Sequence, residues 1–208
     1  MPKARRVGIA LFLGIYMLSG SGCAVKVPLS PDIPNLQFGK KLPVEAALLI
    51  TEETRNYIFT GRSDSLTGRG TSYELAFGET LETTSIEIFS QIFDKIAVVR
   101  TLEEAKKYKI YVEPKIEDFH FSFSTDKVPL FGQIIVFSRI KVHIKAGSHD
   151  VTIKEESVES PEAQGKPGVF KAENDLGGSA SAALVYSLSK IAIQLSEDAS
   201  VRQLIENK

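Results

Sequence analysis

Cys23 is the one thiol in this sequence, and His120, His143 and His149 are its three histidines. A single cysteine excludes an internal disulfide framework and every multi-cysteine metal site. His143 shares a strand parity with Lys141 and Lys145, where a metal ion would be repelled. His149 falls in a Gly147–Asp150 turn, and His120 alternates with phenylalanines on the opposite face. Without clustered acids or thiols around them, these histidines read as structural or solvated, and no metal site is expected. The adjacent pairs Glu52-Glu53, Glu103-Glu104 and Glu155-Glu156 cannot both face one substrate in extended chain, because successive side chains alternate. There is no G-x-S-x-G elbow and no lysine after a phosphate-binding glycine loop. Gly177-Gly178-Ser179-Ala180-Ser181 opens a helical pattern, where small and hydroxyl residues serve capping and packing. Gly68-Arg69-Gly70 lacks both a third glycine and a preceding strand. The expectation is a protein with no enzymatic activity and no cofactor.

Cys23 has a different chemistry in view. Lys3, Arg5 and Arg6 give a positive start, Val7 to Leu18 is apolar apart from two glycines, and Ser19-Gly20-Ser21-Gly22 precedes the cysteine. A run of this length is too short for a spanning helix, which needs about 20 residues, and matches the apolar region of a secretory signal. The cysteine behind small residues resembles the bacterial lipobox, although the third position before it is Gly20 and the nearest leucine is Leu18. The resemblance implies removal of residues 1–22, acylation of Cys23 and a membrane anchor made of its acyl chains. Ala24, by resemblance to enterobacterial lipoproteins, implies the outer membrane, with the body on the periplasmic side.

The 208 residues are 43% hydrophobic and 25% charged, ordinary for a globular protein, with 25 basic against 26 acidic residues. No basic excess exists to neutralise a phosphate backbone, so no nucleic-acid partner is expected. Without residues 1–22 the balance is 22 basic to 26 acidic. Attachment to anionic lipid must then rest on the anchor rather than on charge.

The elements that hold these residues follow from pattern. Pro28, Pro31, Pro34 and Pro43 predict an extended tether over residues 23–43, and residues 44–208 form a single domain. Val44–Ile50 reads as a central strand, Arg55–Thr60 as its neighbour, and residues 61–72 as a loop. Leu81, Ser85, Ile88, Ile92 and Ile96 trace a helical stripe, followed by a short edge strand at Ala97–Val99. Thr101 and Glu104 can form a capping box. Ile110, Val112 and Ile116 share one parity and Phe119, Phe121 and Phe123 the other, which predicts a bulge near Glu117-Asp118. Ile134 to Ala146 alternates, and after the turn Val151–Val158 returns, its acids beside Arg139, Lys141, His143 and Lys145. Asn174 is the expected N-cap of a last long helix with Ala180, Leu184, Leu188, Ile191 and Leu195 on its face. The predicted fold is α+β, a mostly antiparallel sheet with two helices packed on one face, in the order β-β-α-β-β-β-α.

One cluster exceeds what a core needs. Phe121, Phe123, Leu130, Phe131 and Phe137 gather at the end of the central hairpin, with Leu130-Phe131 at a tip that would ordinarily be polar. Exposed together, they would mark a contact with a partner or a membrane; otherwise they return to the core.

The closing segment, with Phe170, Ala172 and Asn174 leading into a long Ala/Leu helix and the ending LSEDASVRQLIEN, resembles YajG-type lipoproteins of Gram-negative bacteria. That resemblance implies an outer-membrane lipoprotein with a periplasm-facing domain, and it carries over no catalytic residue. Two functions stand side by side. One is a structural or assembly role through contacts with other envelope proteins or with itself. The alternative is an accessory carrier subunit that handles lipid or glycan for an envelope transport system.

Overall fold

The computed structural model describes residues 24–36, 38, 40–125, 134–165 and 172–206. Its strands are β1 (Val25–Val27), β2 (Leu42–Leu49), β3 (Phe59–Gly61), β4 (Tyr73–Leu75), β5 (Phe93–Val99), β6 (Ile110–Ser124), β7 (Ile135–Ser148), β8 (Val151–Glu159) and β9 (Ala163–Gln164). Its helices are α1 (Glu52–Arg55), α2 (Phe77–Phe89), α3 (Leu102–Ala105), α4 (Ala172–Glu197) and α5 (Ala199–Glu206). The fold is α+β, and two long helices, α2 and α4, pack into one core on one face of the main sheet.

The main sheet runs β5-β2-β6-β7-β8, with β9 on β7. It is mixed, which corrects the mostly antiparallel expectation: β2 lies parallel to both β5 and β6, and only β6, β7, β8 and β9 pair antiparallel. The physical reason is visible in β2 itself. Ala46, Leu48 and Ile50 face the main core, while Ala47 and Leu49 enter a second cluster with Val99, Ala105 and Tyr111 under α3. A strand covered on both faces reads as an unbroken apolar run, the mark of a parallel strand.

The long β6–β7 hairpin carries the architecture beyond β2. The register shifts between Ile116 and Asp118, as the parity switch predicts, so Ile110 and Val112 before it and Phe119, Phe121 and Phe123 after it all reach the same core. A second sheet, ordered β1-β4-β3, covers that far end. On the other face, Lys141 pairs with Glu117 at 2.9 Å, Arg139 with Glu159 at 3.0 Å and His143 with Glu155 at 3.4 Å. Helix α4 is long and apolar enough to cross a membrane, but 72% of its most apolar stretch is buried in the protein, so it is the core helix on β7.

Several local expectations change. Arg55–Thr60 is not one strand: Thr51 Oγ1 accepts from Thr54 N–H and starts α1, and β3 begins only at Phe59. The helical stripe ends at Phe89, and Ile96 belongs to β5. Asn174 lies within the first turn of α4 rather than at its N-cap. The Thr101–Glu104 capping box is present.

The larger correction concerns the tether. Residues 24–36 are packed against the body. β1 pairs parallel with β4, Val27 is buried, and Leu29, Ile33 and Leu36 lie on the core. Proline blocks ladder pairing from Pro28 onward, yet the segment still makes directed bonds. Ser30 N–H donates to Ser181 Oγ at 3.0 Å, and Leu36 N–H to Gln91 Oε1 at 2.7 Å.

Candidate functional site

The aromatic end of the hairpin is mostly core. After the bulge, Phe119, Phe121 and Phe123 point inward and meet rings from the second sheet. Phe59 packs edge-on to Phe119 at 4.9 Å, and Tyr73 lies 5.5 Å from Phe121 and 5.6 Å from Phe123. Phe121 is 2% exposed and Phe123 4%. Neither can offer a partner a surface, which corrects their reading as contact residues: the three short strands cover them. Phe137 is half-buried and lines a 120 Å³ hollow with Asp64, His120, Arg139 and Glu162. Leu130, Phe131 and Cys23 lie outside the described residues.

The histidines have local partners. Both ring nitrogens of His120 meet carboxylates, Asp64 Oδ2 at 3.1 Å and Asp118 Oδ2 at 2.9 Å, which ties the 61–72 loop to the bulge. His143 Nδ1 lies 3.2 Å from Ser157 Oγ, and His149 Nδ1–H donates to the Lys106 carbonyl at 3.1 Å. Among the described residues no cluster of histidine, cysteine and acid could hold a metal ion.

A roomier cleft lies elsewhere, between the segment entering β2 and the α4–α5 junction. It encloses about 540 Å³. Its apolar lining is Phe38, Leu42, Pro43 and Ile205; its polar lining is Lys40, Lys41, Arg202 and Ser196, with no carboxylate among the described residues. Two of the cations are held in place. Lys41 Nζ donates to the Ser90 carbonyl at 2.7 Å, at the C-terminus of α2, where a cation is favoured by the helix dipole. Arg202 Nε donates to the Ser196 carbonyl at 2.9 Å. Asp198 is occupied in capping α5, accepting from Ser200 N–H at 2.9 Å and Val201 N–H at 3.2 Å. Three cations and apolar side chains lining one cleft can hold an anion attached to something greasy; they offer no nucleophile–base pair.

Little in the local sequence marks these residues: Lys40 and Lys41 lie in the proline-rich stretch before β2, and Arg202 lies in a short terminal helix. The adjacent Lys40-Lys41 pair, in a mature region with an acidic balance, was the available signal.

No protein-family model matches the chain, and no curated protein matches it. Among solved structures, protein XCC0632 from Xanthomonas campestris, of family DUF330, is similar at TM-score 0.46 and 9% identity, over 84% of this chain and 93% of that one. A protein described as a homolog of a neuraminyllactose-binding hemagglutinin, from Helicobacter pylori, reaches 0.43 and 8%, over 88% and 97%. A PelC dodecamer from Paraburkholderia phytofirmans reaches 0.31 and 11%, over 73% and 95%. Likenesses of this strength bear on neither ligand nor partner.

Proposed function

We propose that this chain is a lipid-anchored cell-envelope protein on the periplasmic side of the outer membrane, with an accessory role exercised through binding rather than catalysis. The observation that carries this reading is the sequence of the first 23 residues: cations, a short apolar run, small residues, then the one cysteine. The resemblance of the closing segment to YajG-type lipoproteins supports it. The structure adds a geometric consequence. β1 starts at Val25, whose N–H donates to the Ser72 carbonyl at 2.8 Å. Two residues span roughly 7 Å, so acyl chains on Cys23 would hold the body against the bilayer rather than on a long leash.

Metabolic labelling of intact cells with a clickable palmitate analogue tests the anchor. The full chain is expected to take the label, and Cys23→Ser to lose it and appear in the soluble periplasmic fraction. An unlabelled wild-type chain overturns the reading.

Of the two accessory roles, the geometry supports the carrier over the assembly protein. The phenylalanines that suggested a contact patch are largely interior, whereas the cationic cleft is open and has the lining of a ligand site.

A further inference from the structure

We propose that the cleft at the β2 entrance binds the head of an anionic amphiphile, a phosphate ester carried on a hydrocarbon chain. This inference rests on the carrier reading and is independent of acylation at Cys23.

Charge is the first argument. Lys26, Arg55, Arg100, Lys106, Lys115, Arg139, Lys141 and Lys154 all sit in ion pairs with acids. Among the described residues, Lys40, Lys41 and Arg202 have no such partner; other described cations such as Lys95, Lys145 and Lys190 also lack one, but these three converge on one cleft. Three cations exceed what one carboxylate would neutralise. A phosphate ester presents several anionic oxygens to share among them, and a guanidinium grips such oxygens in a fork. Arg202 uses Nε on the Ser196 carbonyl, and its terminal nitrogens have no hydrogen bond among the described residues. Because backbone carbonyls already position Lys41 and Arg202, binding loses less side-chain freedom.

The apolar lining is the second argument. Leu42 and Ile205 are already buried, but half-buried Phe38 and exposed Pro43 keep apolar surface that a free inorganic anion would leave bare and a hydrocarbon next to the charge would cover. The 540 Å³ is within the usual range for small-molecule pockets, about 300–1,000 Å³.

Location is the third. Pro28 and Ser30 meet α4 at Gly177 and Ser181, and Ser196 lines the cleft. Ser196 lies about 22 Å from Ser181 and about 28 Å from Gly177 along the helix at 1.5 Å per residue. The cleft therefore lies at the opposite end of α4 from the chain's point of departure toward Cys23, and its ligand would arrive from the aqueous side rather than from the bilayer holding the anchor.

The test is native mass spectrometry of the full chain released from a non-ionic detergent. The probes are dihexanoylphosphatidylglycerol, dihexanoylphosphatidylcholine, glycerol 3-phosphate and inorganic phosphate. One phosphatidylglycerol is expected to bind saturably, at least tenfold more tightly than the zwitterionic lipid and at least tenfold more tightly than either headgroup-sized anion. Lys40→Glu and Arg202→Gln should each weaken it at least fivefold without lowering the melting temperature, while Lys190→Glu, on the exposed side of α4, should leave it unchanged. If Arg202→Gln unfolds, Lys40→Glu decides alone, since Lys40 makes no hydrogen bond or ion pair among the described residues. Equal affinity for both lipids, phosphate binding as tight as lipid, no saturable binding, or full affinity in Lys40→Glu each overturns the proposal. Palmitate labelling of Cys23 reads the anchor separately, so a failure of one leaves the other standing.

Discussion

The carbonyl oxygen of Pro28 lies against Gly177 so closely that a β-carbon on Gly177 would sit 2.0 Å from it. The next residue, Gly178, has nothing within 4 Å of its corresponding position. Both glycines lie in α4, where replacing glycine by alanine ordinarily stabilises by about 0.5–1 kcal/mol. Gly178→Ala should show that gain. Gly177→Ala should reverse the sign and cost about 1–3 kcal/mol, because the leading segment must be pushed off the helix. Urea unfolding of the two variants side by side checks the contrast. Equal gains in both would mean that the segment does not rest on the helix.

The same packing predicts what truncation does. A chain beginning at Leu42 loses β1, the buried Val27 and the apolar cover of Leu29, Ile33 and Leu36. Burying a side chain of this kind contributes about 1.5–3 kcal/mol when complete, so losing one full and several partial burials should lower stability by several kcal/mol. Comparing denaturation midpoints of chains beginning at Ala24 and at Leu42 measures it. Coincident midpoints would restore the picture of a free tether.

Only part of this fold is decided by local physics. The Thr101–Glu104 box and the Glu117 bulge were legible because each is decided by a few neighbouring residues: a hydroxyl three positions before a glutamate, and a change of alternation parity. Strand direction in β2 was not, because parallel pairing depends on where β5 and β6 come from, although the run Ala46-Ala47-Leu48 was already the composition of a doubly buried strand. Residues 24–36 misled because prolines rule out a ladder but not side-chain packing; Val25, Val27 and Leu29 carried the alternation in plain view. The cleft was illegible for a stronger reason. Lys40 and Arg202 are separated by most of the chain, and only the docking of α5 beside β2 brings them together.

Phe121 separates core from contact surface at the hairpin end. Its ring meets Phe59 at 6.2 Å, Tyr73 at 5.5 Å and Phe123 at 5.8 Å. Phe121→Ala should therefore cost about 3–5 kcal/mol, the usual loss for a buried phenylalanine. It should also loosen the second sheet, detectable as faster amide exchange at Tyr73–Leu75. A variant as stable as the wild type would show that the ring is not part of the core.

Arg100 holds Glu82 with two bonds, Nη1 to Oε2 at 2.9 Å and Nη2 to Oε1 at 2.8 Å, and Nη1 also reaches the Ile50 carbonyl at 3.2 Å. The pair joins α2 to the end of β5 and to the exit of β2. The hydrogen bonds from Arg100 lower the Glu82 pKa, outweighing the burial that would raise it, and the charges of Arg100 and Arg55 add to the lowering. A carboxylate whose folded pKa is depressed contributes stability fully above its unfolded value, about 4.3, and that contribution is lost as pH falls through the lower folded value. Because Arg100 is a third exposed, solvent screening keeps the gain near the low end for charged hydrogen bonds, about 1–2 kcal/mol. Glu82→Gln should be less stable than the wild type by that amount at pH 7, and the gap should narrow steadily below pH 4. Urea unfolding of both chains from pH 7 to pH 3 measures the gap. A difference that stays constant across the range would assign the loss to packing at α2 rather than to the ion pair.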